Sequence, residues 1–114
     1  MGNKVLLKGT GASPGIVRGI VRLVKFQEEV EMLSQGEILV TSFINPDFVS
    51  SIKRNPKISG IITDKGGATC HAAIIAREFK ISYIAGAAGA TKRLKNNLEV
   101  IIDGGKGIIY EAPQ

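Results

Sequence analysis

The only histidine of the chain, His71, stands in the run Thr63-Asp64-Lys65-Gly66-Gly67-Ala68-Thr69-Cys70-His71-Ala72-Ala73-Ile74-Ile75-Ala76-Arg77-Glu78. An apolar strand ends, a glycine pair turns the chain, and an alanine-rich stretch starts a helix, alanine being the best helix former. That order puts an imidazole in the first turn of a helix. The backbone there presents unpaired N–H groups and about half a positive charge. A protonated ring is disfavoured in such a field, which leaves a neutral ring with a free lone pair, a nucleophile. A phosphoryl group attached to it would meet the same helix end and the loop amides, both of which stabilise an anion. Gly66 and Gly67 let the backbone approach a phosphate closely. Thr69 is placed to cap the helix, to donate to a phosphate oxygen, or to do each at different steps.

At 100° per residue, Ala72, Ile75, Ala76 and Phe79 share one helix face, read as core. Arg77 and Glu78 lie on the other side, His71 falls near Glu78, and Ile74 projects between the charged residues into solvent. Ile74, Arg77 and Glu78 thus border His71 as a docking face for a partner. Taken singly, these residues have plainer uses: a structural histidine, an ordinary glycine turn, an ordinary cap. A metal site is not expected, because no second histidine or cysteine cluster exists. A Cys70–His71 catalytic pair is not expected either, since helix neighbours do not face each other. Cys70 reads as a small packed residue. Thr63, Asp64 and backbone carbonyls are the candidates for orienting the second ring nitrogen.

These residues need a scaffold. Short strands are expected at Val5–Lys8, 16–25, Glu37–Thr41, 59–63 and Ser82–Ala85, with 9–15 as a turn-rich loop and 86–90 as a flexible segment. The segment 27–33 reads as a short acidic helix. A second helix starts at Asn45-Pro46, with Asn45 as N-cap and proline in the first turn, and runs to about Arg54. A third covers 69–79. Residues 98–102 and 107–111 form a hairpin around Asp103-Gly104-Gly105-Lys106. Strands and helices mix, with at least two antiparallel connections, so the class is α/β or α+β in one compact unit spanning 1–114.

The 114 residues suffice for one domain with one core. Hydrophobic residues make up 44% and charged residues 22%, the balance of a soluble globular domain. No apolar run approaches a membrane span, and Met1-Gly2-Asn3-Lys4 lacks the parts of a signal peptide. With one cysteine no intrachain disulfide is possible, which fits a reducing, cytoplasmic compartment. The net charge of +5 suits a solvated basic surface or partners bearing phosphate or acidic groups. Nucleic acid is not an expected partner: there are six aromatics, no arginine-rich tract and no recognition motif.

The run Gly66-Gly67-Ala68-Thr69-Cys70-His71-Ala72-Ala73-Ile74-Ile75-Ala76-Arg77-Glu78 closely resembles the phosphohistidine motif of the phosphoenolpyruvate-utilising enzymes, and looks most like that of phosphoenolpyruvate synthase, with pyruvate phosphate dikinase next. Gly11-Ala12-Ser13-Pro14-Gly15, Asn45-Pro46-Asp47, Ile61-Ile62-Thr63-Asp64 and Asp103-Gly104-Gly105-Lys106-Gly107 extend the likeness over nearly the whole chain. The resemblance implies an α/β fold of the swivelling β/β/α kind. It also implies that His71 is the phosphorylated residue, with Thr69 beside it and Gly66 and Gly67 as the phosphate-binding loop. The implied function is a phosphoryl carrier, part of a phosphotransferase that completes no reaction alone. The carrier would relay phosphate between an ATP-binding domain and a phosphoenolpyruvate/pyruvate-binding domain, in cis or in trans. ATP and Mg²⁺ would be held by those partner domains and no cofactor by this one. The other reading is a non-catalytic interaction or regulatory module that keeps the fold. Two departures stand out: Ala68 replaces an arginine common in phosphoenolpyruvate synthase, and Lys80-Ile81-Ser82 replaces a usual Gly-Ile-Pro, so the turn after the helix should differ.

Overall fold

The computed structural model describes residues 4–67 and 70–113. Eight strands form one sheet: β1 (Val5–Lys8), β2 (Thr10–Ser13), β3 (Ile16–Leu23), β4 (Glu37–Thr41), β5 (Gly60–Thr63), β6 (Ser82–Ala85), β7 (Glu99–Asp103) and β8 (Ile108–Glu111). The helices are α1 (Pro46–Arg54), α2 (His71–Glu78) and the single turn α3 (Ala90–Arg93), with a 3₁₀ segment at Gln27–Met32. The sheet order is β1-β8-β7-β3-β4-β5-β6-β2. Strands β3, β4, β5 and β6 run parallel, linked by helical crossovers, while β7, β8, β1 and β2 add antiparallel pairs at the two sides.

Strands β1 and β2 lie at opposite ends of that order, yet only Gly9 separates them in sequence. The sheet must therefore roll until its ends nearly meet. At this seam the Gly9 N–H donates to the Gly107 carbonyl at 2.7 Å. A Cβ on Gly9 would sit 2.6 Å from the Ala85 carbonyl oxygen, so no other residue fits without moving backbone.

Rolling gives the parallel strands two buried faces. Alternate residues go to opposite sides. Leu39, Ile61, Tyr83 and Ala85 face the helices and pack with Phe48, Val49 and Ile52 of α1 and Ala72, Ala73, Ile75 and Ala76 of α2. Ile38, Val40, Ile62 and Ile84 face the other way and meet Val100, Ile102 and Ile109 from the antiparallel part. This explains why Ile38-Leu39-Val40 and Gly60-Ile61-Ile62 are unbroken apolar runs. The result is the expected α/β class with β/β/α layering.

Helix α1 starts as expected: the Asn45 Oδ1 accepts from the Phe48 N–H at 2.9 Å, with Pro46 in the first turn. The closing hairpin is also as expected, its turn held by Asp103 Oδ1, which accepts from the Gly105 and Lys106 N–H groups. Four expectations need correction. The 9–15 loop contains strand β2, which exists because β6 pairs with it from 70 residues away. The flexible 86–90 segment leads directly into α3. The acidic helix is 3₁₀ and ends at Met32. The strand starting at Ile16 stops at Leu23.

Candidate functional site at the head of helix α2

Strands β4, β5 and β6 end side by side, and the loop that follows β5 is stitched to both neighbours. On the β4 side, the Asp64 and Lys65 N–H groups donate to the carbonyls of Thr41 and Ser42 at 3.2 and 3.0 Å. On the β6 side, the Ala87 N–H donates to the Thr63 carbonyl at 2.8 Å. The Asp64 carboxylate accepts from the Thr91 N–H at 2.9 Å and from the Thr91 hydroxyl at 2.6 Å. The Thr63 hydroxyl donates to the Lys65 carbonyl at 2.7 Å. Both side chains considered for orienting His71 are thus engaged within the loop and its neighbours.

Gly66 has φ +120°, a backbone conformation suited to glycine, and is exposed, while the space around Gly67 is open. The two phosphate-loop candidates therefore lie at the surface just before α2. His71 is the first residue of α2 and is exposed. The N-cap position falls on Cys70, whose side chain makes no capping bond. The described helix thus begins at His71, and the expectations for Thr69, as a helical residue, a cap or a phosphate donor, fall on a residue outside the described ones. Ala68 and Thr69 themselves lie outside the described residues.

Ala72, Ala73, Ile75 and Ala76 are buried, and Ile74 is 47% exposed between His71, Arg77 and Glu78, all at the surface. The expected docking residues therefore do share one solvent face with His71. Phe79 does not join the core as expected: it is 38% exposed. It is the C-cap residue, with φ −90° and ψ 2°, so the 100° periodicity no longer predicts its direction. After it, Lys80 takes the left-handed conformation (φ 58°), and the Ile81 N–H closes back onto the Ala76 carbonyl at 2.8 Å. A non-glycine residue there costs about 1–2 kcal/mol.

One residue beneath the site was not singled out from sequence. Tyr83 is fully buried, and its hydroxyl lies 3.1 Å from the Thr63 hydroxyl oxygen. The only signal was an aromatic residue in a short, otherwise small or aliphatic strand. Burial pushes its phenol up to about 12 from the usual value near 10, against a lowering by the bond to Thr63. The folded chain thus keeps this proton where the unfolded chain loses it. Stability is unaffected below about pH 10 and falls as pH rises toward about 12, by about 2–3 kcal/mol in all. Urea unfolding of wild type and Tyr83→Phe across pH 9–12 checks this: the phenylalanine variant should lose less stability over that interval. Parallel curves would refute it.

Beside the loop, Phe43, Ile44, Lys65, Gly66, Cys70 and Tyr83 line a cavity of about 380 Å³. Cys70 packs partly against the helix-side core, in line with its expected role. Among the described residues no three His, Cys, Asp or Glu side chains converge as a metal site would need.

The family model described as "PEP-utilising enzyme, mobile domain" matches residues 33–107. A probable phosphoenolpyruvate synthase of Archaeoglobus fulgidus is 47% identical over 108 residues, which cover 95% of this chain. The match spans only 14% of that relative's length. Among solved structures, an Enzyme I protein determined by NMR superposes with a TM-score of 0.63 at 29% identity, over 75% of this chain and 34% of that one. The aconitase X structure of Thermococcus kodakaraensis superposes with a TM-score of 0.71 at 20% identity, over 94% of this chain and 98% of that one, a likeness of fold alone.

Proposed function

This chain belongs to the family of PEP-utilising enzyme mobile domains, and we propose from that premise that it is a phosphoryl carrier in which His71 takes up a phosphoryl group and passes it on. The observation that carries the proposal is the placement of the chain's only histidine. His71 is exposed at the first position of α2, directly after a surface glycine loop, inside the segment the family model matches.

In the proposed step the lone pair of the unprotonated ring nitrogen forms a P–N bond. The P–O bond to the leaving group breaks, and its electron pair stays on the departing oxygen. The proton on the other ring nitrogen can then be released to solvent. Backbone N–H groups at the start of α2 and in the Gly66-Gly67 loop suit the oxygens of the attached group. Thr69 is proposed as a further donor to it. Transfer in the reverse sense regenerates the free ring.

The donor and acceptor sites belong to partner domains, in cis or in trans. Phosphoryl transfer needs charge neutralisation and in-line positioning, which a metal-bound nucleotide site supplies. We place ATP with its Mg²⁺ on one partner domain and phosphoenolpyruvate or pyruvate on another, and assign the contact with them to Ile74, Arg77 and Glu78. The chain spans about one seventh of the phosphoenolpyruvate synthase it matches, which leaves room in such a protein for both partners.

The test is intact-mass analysis after incubation with ATP·Mg²⁺ or phosphoenolpyruvate, together with the remaining domains of a phosphoenolpyruvate synthase. Addition of one acid-labile, base-stable phosphoryl group is the expected result. No addition with competent partner domains would overturn the proposal.

A further inference from the structure

We infer that Tyr83 is a positioning residue for His71: its buried hydroxyl supports, from beneath, the start and the glycine turn of the loop that leads to the ring. The inference rests on the carrier reading, and it concerns a residue outside the Gly66–Glu78 run.

The hydrogen-bond directions follow from the groups involved. A carbonyl can only accept, so the Thr63 hydroxyl donates its proton to the Lys65 carbonyl at 2.7 Å. Thr63 must then accept from Tyr83 at 3.1 Å. The chain of donors therefore runs from Tyr83 through Thr63 to the Lys65 carbonyl. Lys65 is the residue before the glycine pair, and Cys70, the N-cap of α2 and the residue before His71, lines the same cavity as Tyr83. Next to Lys65, a Cβ built on Gly66 would lie 3.5 Å from the Tyr83 hydroxyl and 3.7 Å from the Thr63 hydroxyl oxygen. The turn of the loop thus rests on the same two groups.

The residue is suited to this work because its own position is fixed. Tyr83 sits in the middle of β6, 1% exposed, with Ile61 of β5 as its partner in the parallel ladder. A hydroxyl on a rigid strand holds the Lys65-Gly66 part of the loop in one arrangement. Preorganised donors of this kind act on the rate of group transfer more than on stability.

Potassium phosphoramidate tests this without any partner domain. The imidazole lone pair forms the new P–N bond, the P–N bond of the reagent breaks, and nitrogen leaves as ammonia with a proton from the medium. Because the chain has one histidine, intact mass reads a single site. Tyr83→Phe and Thr63→Val should each slow loading, and shorten the lifetime of the phosphohistidine, by about tenfold. Thr63→Ser keeps the hydroxyl and should stay close to wild type in both. Ile102→Val, a conservative loss in the opposite core, serves as the stability control. Wild-type loading and lifetime in folded Tyr83→Phe would overturn the inference. So would an equal loss in Ile102→Val, which would mark the effect as general destabilisation. Phosphoramidate loading does not depend on ATP or phosphoenolpyruvate domains. A wild-type chain that reacts with the reagent but not with those domains would sink the carrier reading and leave this result legible.

Discussion

Replacement of His71 by Ala is expected to abolish loading by ATP- and phosphoenolpyruvate-binding partner domains while leaving the fold unchanged. The two halves of that expectation have separate physical grounds. Loading disappears because the chain has no second histidine to take over the bond to phosphorus. Hydroxyl groups that could form phosphate esters would give acid-stable products, distinguishable by their lability. The fold survives because the His71 side chain is exposed at the first position of α2, and surface substitutions of this kind change stability by about 0.5 kcal/mol or less. Intact mass of the loaded variant and its urea midpoint are the two measurements. A phosphoryl group still present on folded His71→Ala, added at the wild-type rate, would end the carrier reading.

The second large effect is expected of Ile74→Glu. Ile74 lies three residues after His71 on the same helix face and exposes 47% of its surface, with Arg77 and Glu78 alongside. A partner that brings a phosphate to the ring must cover this face, and an apolar side chain at its centre is then buried. A carboxylate there would have to lose its water without a counter-charge, beside Glu78. The loss should be about thirtyfold or more in apparent affinity for the partner domain, equivalent to about 2 kcal/mol or more. The chemistry at His71 should be untouched, so phosphoramidate should load Ile74→Glu at the wild-type rate. Partner-dependent loading of Ile74→Glu at unchanged affinity would remove Ile74 from the docking surface.

The amino-acid sequence by itself determined the features that depend on near neighbours. Asn45-Pro46 starts α1 because a side-chain oxygen three residues from an unpaired N–H caps it wherever the helix lies. The Asp103–Lys106 turn closes on its own carboxylate in the same way. The glycine pair followed by a helix with His71 at its head, the burial of Ala72, Ile75 and Ala76, and the exposure of Ile74 follow from the 3.6-residue period. The mix of short strands and helices narrowed the class to α/β or α+β, and the resemblance of the motif run implied the α/β fold that the sheet shows.

Only the tertiary structure decided the rest, and in each case the deciding partner is far away in sequence. Thr10-Gly11-Ala12-Ser13 has little intrinsic tendency to extend. It is a strand because β6 offers it hydrogen bonds once the sheet has rolled about Gly9. Phe79 reaches the surface because the helix ends at Glu78 and the next backbone angles redirect it. The cap of α2 falls on Cys70, after a loop whose start is bonded to the exits of β4 and β6. Tyr83 is twelve residues beyond His71, and periodicity says only that it faces one side of a strand. The parallel register of β5 with β6 places its hydroxyl under Thr63 and the glycine loop, because adjacent parallel strands end at the same level. What surrounds the reacting ring is therefore set by strand pairing, whereas the ring itself was evident from the order of residue types along the chain.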